Sequence, residues 1–115
     1  MPYSYLYDPA LRAGAKILGS EIWLDYVATT TNLTLSSQGN PSANCLCEVT
    51  SLSPTITLPT AVNITGQQFN IKNSGSGTVT LATTSGQTID GQAVQTLTQY
   101  QALTVVSNGS NWIII

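Results

Sequence analysis

The sequence predicts an all-β protein, an antiparallel β-sandwich of jelly-roll type that follows an N-terminal arm or short helix. From about residue 30 onward, short segments alternate apolar and polar residues, and this alternation is typical of half-buried strands. Stretches rich in Gly, Asn, Ser and Asp separate these segments, as turns do. Regular short strands joined by Gly-containing turns favour sandwiches and jelly rolls.

The length of 115 residues predicts one domain with a single modest core. Residues 1–20 are interpreted as an arm and residues 21–115 as the β-sandwich domain. Asp8 is suited to cap a helix, Pro9 to occupy its first position and Gly19 to follow its end, so a short helix over residues 9–18 is predicted. The alternative is an extended arm that becomes ordered only against a partner.

Nine strands are predicted, and the alternation assigns their faces. Phe69 and Ile71 share one face of their strand, whereas Asn70 and Lys72 share the other. No clean internal repeat is visible. In chain order the predicted strands are "EIWLDYVA", "NLTLS", "CLCEVT", "TITL", "QFNIKN", "TVTLAT", "VQTLT", "LTVVS" and "WIII".

Two connections carry the clearest turn signals. "NSGSG" at 73–77 predicts a hairpin loop between "QFNIKN" and "TVTLAT". Asn108-Gly109 predicts a type I′ hairpin turn, since both residues tolerate the positive φ that this turn requires. "IDG" at 89–91 predicts another turn in which Asp90 has a structural role.

Composition argues against several classes of partner. Charged residues make up 7% of the chain and the net charge is -2, with three basic residues, too few for a nucleic-acid or polybasic membrane surface. No apolar run approaches the ~20 residues of a membrane span, and the N-terminus lacks the pattern of a signal peptide. The sequence therefore predicts a protein made in the cytoplasm, whose neutral polar surface suits contact with other proteins.

The residues available for chemistry predict neither an enzyme nor a cofactor or metal site. The chain has no histidine, which removes the usual nucleophilic triads and the commonest zinc ligand. Cys45 and Cys47 share one face of a strand and are expected to be buried free thiols. Glu48 and Asp90 are the two carboxylates of the β region, and their spacing does not suggest a glycosidase pair.

The last 60 residues or so contain a set of shared features: "TLP" at 57–59, "G..F.IKN.G.GTV" from Gly66 to Val79, "IDG" at 89–91 and "VVSNGSNW" at 105–112. With these features the chain resembles a small β module of bacteriophage virion proteins, which occurs in tail fibres, head fibres and capsid decoration proteins. The resemblance does not extend to residues 1–50.

The resemblance implies a virion structural protein and does not indicate which part of the virion carries it. The favoured interpretation is a capsid decoration (cement) protein that stabilises the outer shell, a homotrimer whose partner is the major capsid protein, because 115 residues leave no room for the attachment region and shaft of a fibre beside the sandwich. The arm would make the capsid contact through Tyr3, Tyr5, Tyr7, Arg12 and Lys16. The alternative is a fibre or receptor-binding module that recognises host cell-surface carbohydrate. A general carbohydrate-binding module is a third hypothesis, which would require exposed rings on one face, with Trp23, Tyr26 and Tyr100 as the candidates.

The apolar C-terminus predicts a closing strand that serves both the core and an oligomer. Trp112 and Ile114 are expected on one face and Ile113 on the other, and the carboxylate of Ile115 must reach solvent. Because this strand is apolar on both faces, one face is expected to enter the domain core and the other to meet a neighbouring subunit or the shell. Trp112 is interpreted as a core residue, with a sugar-stacking role as the alternative.

Overall fold

The computed structural model describes residues 24–37 and 44–115, and these form nine β-strands and no helix. Each strand overlaps a predicted segment, so the all-β class is confirmed. The predicted arm at 1–20 and helix at 9–18 lie outside the described residues. The strands are β1 (Asp25–Thr29), β2 (Leu33–Thr34), β3 (Cys45–Val49), β4 (Thr55–Thr57), β5 (Gln68–Asn73), β6 (Val79–Ala82), β7 (Val94–Leu97), β8 (Ala102–Ser107) and β9 (Trp112–Ile114).

The strands form two mixed sheets, one of five strands in the order β1-β3-β5-β8-β9 and one of four in the order β2-β4-β6-β7. From β1 to β6 successive strands alternate between the sheets, so the chain forms a coil of three stacked turns, and each turn contributes one strand to each sheet. Equivalent strands of successive turns pair in parallel. After β6 the pairing becomes antiparallel: β7 pairs with β6, and β8 and β9 form a hairpin beside β5.

The predicted antiparallel pairing is therefore wrong for the four strand pairs formed among β1 to β6. Alternation along a strand shows which side chains share a face, but it does not show in which direction the neighbouring strand runs. A parallel pair requires the chain to return to the same end of the sheet before it pairs again. In this protein the strand in the opposite sheet makes that return, so that β2 connects β1 to β3 and β4 connects β3 to β5.

The three stacked turns are a structural repeat that the sequence does not display. Leu33, Ile56 and Leu81 are register partners across β2, β4 and β6. The connections differ in length, since the first spans residues 30–32 and the third spans 74–78. Equivalent positions consequently recur at unequal intervals, which hides the repeat from a search for a fixed period.

Inward-facing side chains from both sheets belong to one buried cluster. Its largest member, Trp112, meets the ring of Phe69 edge to face, with ring centroids 5.4 Å apart and an interplanar angle of 76°. Phe69 and Ile71 are buried and their neighbours Asn70 and Lys72 are not, as the alternation predicted. Each fully buried side chain of this size stabilises the fold by about 1.5–3 kcal/mol.

Two buried residues in the described part of the chain are polar, Asn73 and Ser107, and Asn73 makes the more extensive hydrogen bonds. The side-chain nitrogen of Asn73 donates to the carbonyls of Gly77, at 2.8 Å, and Leu97, at 2.9 Å, and its side-chain oxygen accepts the N–H of Gly75 at 3.0 Å. The amide thus ties the end of β5 to β7 and to the turn that follows β5. Both polar atoms of the Asn73 side chain thus have partners, as a buried polar group requires.

The predicted hairpin at 73–77 is wrong, because β5 and β6 lie in different sheets. The segment instead carries the chain from one sheet to the other and stacks on the equivalent connection of the preceding turn. A Cβ at Gly75 would lie 2.9 Å from Cα of Ser51, and one at Gly77 would overlap the carbonyl of Leu52. Glycine is needed at these two positions because two backbone segments approach closely.

The β8–β9 hairpin is confirmed, but its turn is not the predicted two-residue type. Four residues, 108–111, connect the strands, and Oδ1 of Asn108 accepts the N–H groups of Ser110 and Asn111. Gly109 has positive φ and Asn108 does not. The side chain of Asn108 therefore organises the longer turn. Positive φ at two consecutive residues occurs instead at Ser85 and Gly86 and, in the "IDG" turn, at Asp90 and Gly91.

Candidate functional site

The candidate site lies on the outer face of the five-stranded sheet, where a glutamate and a lysine sit side by side. Glu48 on β3 and Lys72 on β5 are register partners. Both alternate with buried neighbours, so their side chains point away from the core. They are two of four charged residues in the described part of the chain. Half of the charged residues that the structure describes therefore lie at one position of one sheet.

Two hydroxyl groups hold the carboxylate of Glu48. Tyr26 donates to Oε1 at 2.5 Å and Ser74 donates to Oε2 at 2.6 Å. The pKa of Glu48 is lowered, chiefly by the hydrogen bond from Ser74, then by the bond from Tyr26, with a smaller contribution from the charge of Lys72. The pKa of Tyr26 is raised, mainly by the same bond to Glu48. Glu48 is therefore a fixed, ionised acceptor, and Tyr26 keeps its phenolic proton.

A second tyrosine positions the ammonium group of Lys72. Nζ donates to the carbonyl oxygen of Tyr100 at 2.9 Å and lies 6.0 Å from the centroid of that ring, within the range of a cation–π contact. Tyr100 has a left-handed backbone, with φ of 67°, and its N–H is bonded to the carbonyl of Asn73. Both contacts to Lys72 thus come from a loop residue that is anchored to the end of β5.

The four side chains form a row across the face, in the order Tyr26, Glu48, Lys72 and Tyr100 (the Tyr–Glu–Lys–Tyr row). The exposed fractions of the two tyrosines are 55% and 66%, so both rings remain available to a ligand. The charged pair lines a groove of about 450 Å³ that also has apolar lining residues, among them Leu24, Leu46 and Ala102. Such a combination of apolar walls and a few oriented polar groups is typical of small-molecule sites.

The residues predicted to contact a capsid fall outside this description. Tyr3, Tyr5, Tyr7, Arg12 and Lys16 belong to the part of the chain that the structure does not describe. Trp23, one of the three candidate exposed rings, lies there as well. The other two candidates, Tyr26 and Tyr100, are exposed and belong to the Tyr–Glu–Lys–Tyr row.

The C-terminal residues occupy the edge of the five-stranded sheet. Trp112 is fully buried, Ile114 is half-buried on the same face, and Ile113 is exposed on the other face. Ile115 is 70% exposed. The predicted faces are therefore confirmed, as is the core position of Trp112. Ile113 and Ile115 leave apolar surface uncovered at this edge.

Asp90 closes part of that edge. Its N–H donates to the carbonyl of Trp112 at 3.0 Å, and its Oδ1 accepts the N–H of Ile114 at 3.1 Å. The structural role predicted for Asp90 is confirmed, although its carboxylate bonds β9 rather than its own turn. Glu48 lies on β3, which β5 and β8 separate from β9. The two carboxylates therefore do not face each other across one site.

The two cysteines are buried free thiols, as predicted. Burial raises the pKa of the Cys45 thiol to about 12 and that of Cys47 to about 11, so both are protonated at neutral pH and unsuited to nucleophilic or metal chemistry. Within residues 24–37 and 44–115 no group of three or more potential metal-ligating side chains of His, Cys, Asp or Glu occurs. No helix among these residues could span a membrane.

Comparison with known proteins adds no relative to these observations. A scan against protein-family models found no match, and a search of curated proteins found no significant one.

Sequence reasoning considered Glu48, Tyr26 and Tyr100 separately and did not predict the row. The residues come from β1, β3, β5 and the loop before β8, and they meet because β1, β3 and β5 pair in parallel. The available signal was the scarcity of charge, since Glu48 and Lys72 are each the one charged residue of their predicted strand. That signal gives no register, and the register is what makes the two residues neighbours.

Proposed function

We propose that this protein is a bacteriophage virion structural protein that decorates and stabilises the outer surface of the capsid shell. The resemblance of its last 60 residues or so to the virion β module supports this proposal. These residues include β4 to β9, in which both sheets are represented. In this proposal the two sheets pack face to face as a β-sandwich, and residues 1–20 supply the contact to the major capsid protein.

The surface supports binding rather than catalysis. In the part of the chain that the structure describes, several large apolar side chains are exposed and four residues are charged. A surface of this kind loses little solvation energy when it is covered by protein. This contrast is the observation that carries the proposal. Among the described residues, the exposed large apolar ones are Leu24, Tyr26, Leu52, Val62, Val94, Tyr100, Ile113 and Ile115.

A homotrimer is the proposed assembly, with the outer face of β9 as part of the subunit contact. Ile113 and Ile115 are exposed at a sheet edge, where a neighbouring subunit would bury them. Multi-angle light scattering is expected to give three times the mass of the 12.1 kDa chain. A stable monomer at micromolar concentration would contradict the proposed assembly.

Co-sedimentation with undecorated shells tests the capsid contact. The intact protein is expected to pellet with shells, and a variant that lacks residues 1–19 is expected to remain a folded oligomer that stays in the supernatant. Ile113→Ser combined with Ile114→Ser is the complementary variant, which should lose the folded oligomer itself because one residue faces outward and the other packs against the core. Shell binding that survives removal of the arm would show that the arm is not the anchor.

A further inference from the structure

We infer that the groove beside the Tyr–Glu–Lys–Tyr row binds a neutral saccharide ring. This inference concerns the outer face of the five-stranded sheet and does not rest on where in a virion the protein is located. It starts from the charges of Glu48 and Lys72, which are neighbours in register and nearly cancel. A groove with one carboxylate and one ammonium favours neither a polyanion nor a cation, and it suits an uncharged ligand that both donates and accepts hydrogen bonds.

Both charged groups keep unused hydrogen-bonding capacity toward the groove. Each oxygen of Glu48 accepts one bond from protein, from Tyr26 or from Ser74, while a carboxylate offers about four acceptor positions. Lys72 makes one bond, to the carbonyl of Tyr100, and an ammonium group has three donors. Adjacent hydroxyls of a sugar could donate to the carboxylate and accept from the ammonium group at the same time.

The rest of the site matches the apolar part of a sugar ring. The groove of about 450 Å³ is within the range of small-ligand sites, roughly 300–1,000 Å³. Leu24, Leu46 and Ala102 supply apolar lining. The exposed rings of Tyr26 and Tyr100 contact the two charged residues from opposite ends of the row. The two rings lie beside the groove and not among its lining residues, so the negative face of either ring can attract the weakly positive C–H groups of a pyranose at the margin of the groove.

A peptide strand fits this position less well. The groove is lined mainly by residues of β3, β5 and β8, which are interior strands of the sheet and are paired on both sides. Their backbone groups are therefore committed to the ladder, and an added peptide strand would need a free edge. Recognition here must use side chains, and hydroxyl groups are the ligand groups that these side chains complement.

The test uses the full chain and a panel of single sugars: the methyl pyranosides of glucose, galactose, mannose, rhamnose and N-acetylglucosamine. Saturation-transfer NMR is expected to label the ring C–H protons of at least one of them, with a Kd on the order of 1 mM, as is usual for so small a ligand. In ¹⁵N spectra the shifted amides should belong to β3, β5, β8 and Tyr100. Absence of transfer to every sugar in the panel would overturn the inference.

Matched variants locate the binding. Tyr100→Ala and Lys72→Met are expected to weaken binding by about tenfold or more, whereas Tyr100→Phe, which keeps the ring, should bind as the unmodified protein does. Val94→Ala is the control, because Val94 is an exposed apolar residue on the other sheet. Circular dichroism establishes that each variant is folded. Equal loss in Val94→Ala, or undiminished binding in folded Tyr100→Ala and Lys72→Met, would overturn the inference, while loss of shell binding alone would not affect it.

Discussion

Replacement of Asn73 by Asp should destabilise the protein strongly although it changes only one atom. The side-chain nitrogen of Asn73 donates to the carbonyls of Gly77 and Leu97 in a site without solvent access. Aspartate has the same size and shape, so it creates no cavity. It replaces the donor by a second acceptor, and both carbonyls then face an oxygen. The bond from the N–H of Gly75 to the remaining oxygen can persist.

The magnitude follows from the two buried carbonyls that lose their donor. Each unsatisfied group costs about 1–3 kcal/mol, so the free energy of unfolding should fall by roughly 2–6 kcal/mol. That loss is a large part of the ~5–15 kcal/mol that stabilises a domain of this size. An ionised aspartate is also desolvated, which raises its pKa in the folded state. The penalty should therefore grow as pH rises above ~3.9, the pKa of an unfolded aspartate, and level off above the raised folded value.

Urea unfolding followed by tryptophan fluorescence measures this loss. All variants are compared at one protein concentration, because the stability of the proposed homotrimer would depend on that concentration. Asn32→Asp is the matched control. Oδ1 of Asn32 accepts the N–H of Thr55 at 2.9 Å on the surface, and aspartate retains that acceptor. The control should stay within about 0.5 kcal/mol of the unmodified protein. Equal stability of the two variants would refute the role assigned to the Asn73 amide.

Three further changes probe other parts of the fold. Gly109→Val should cost about 1–3 kcal/mol, because φ is 97° and the new Cβ would lie 2.8 Å from Oγ1 of Thr65; an unchanged melting temperature would contradict this. Glu48 has a lowered pKa, so its contribution to stability is present at neutral pH and lost in acid. The unmodified protein should therefore lose more stability than Glu48→Gln between neutral pH and about pH 3 in urea titrations. Cys45 and Cys47, both buried and with raised pKa values, should react with a disulfide reagent at the rate of unfolding, and rapid labelling of the native protein would be the contrary result.

The sequence determined the strands and their faces. Alternation placed Phe69 and Ile71 inside and Lys72 outside, and it predicted two buried thiols in "CLCEVT". These properties are local, because the side-chain direction in an extended chain depends only on the position along the strand. The closing hairpin was predictable for the same reason, since its two strands are adjacent in the chain and a turn signal separates them.

The tertiary structure decided which strands are neighbours and in which direction they run. Parallel pairing of β1, β3 and β5 depends on the chain crossing to the other sheet between them, and no local pattern records that crossing. The tertiary structure also explains the glycines at 75 and 77, because the connection that contains them packs closely against the backbone of Ser51 and Leu52. The Tyr–Glu–Lys–Tyr row has the same origin, because Glu48 and Lys72 become neighbours only through register. Register is fixed by burial of the shared core across distant segments, so it exists only once the chain has folded.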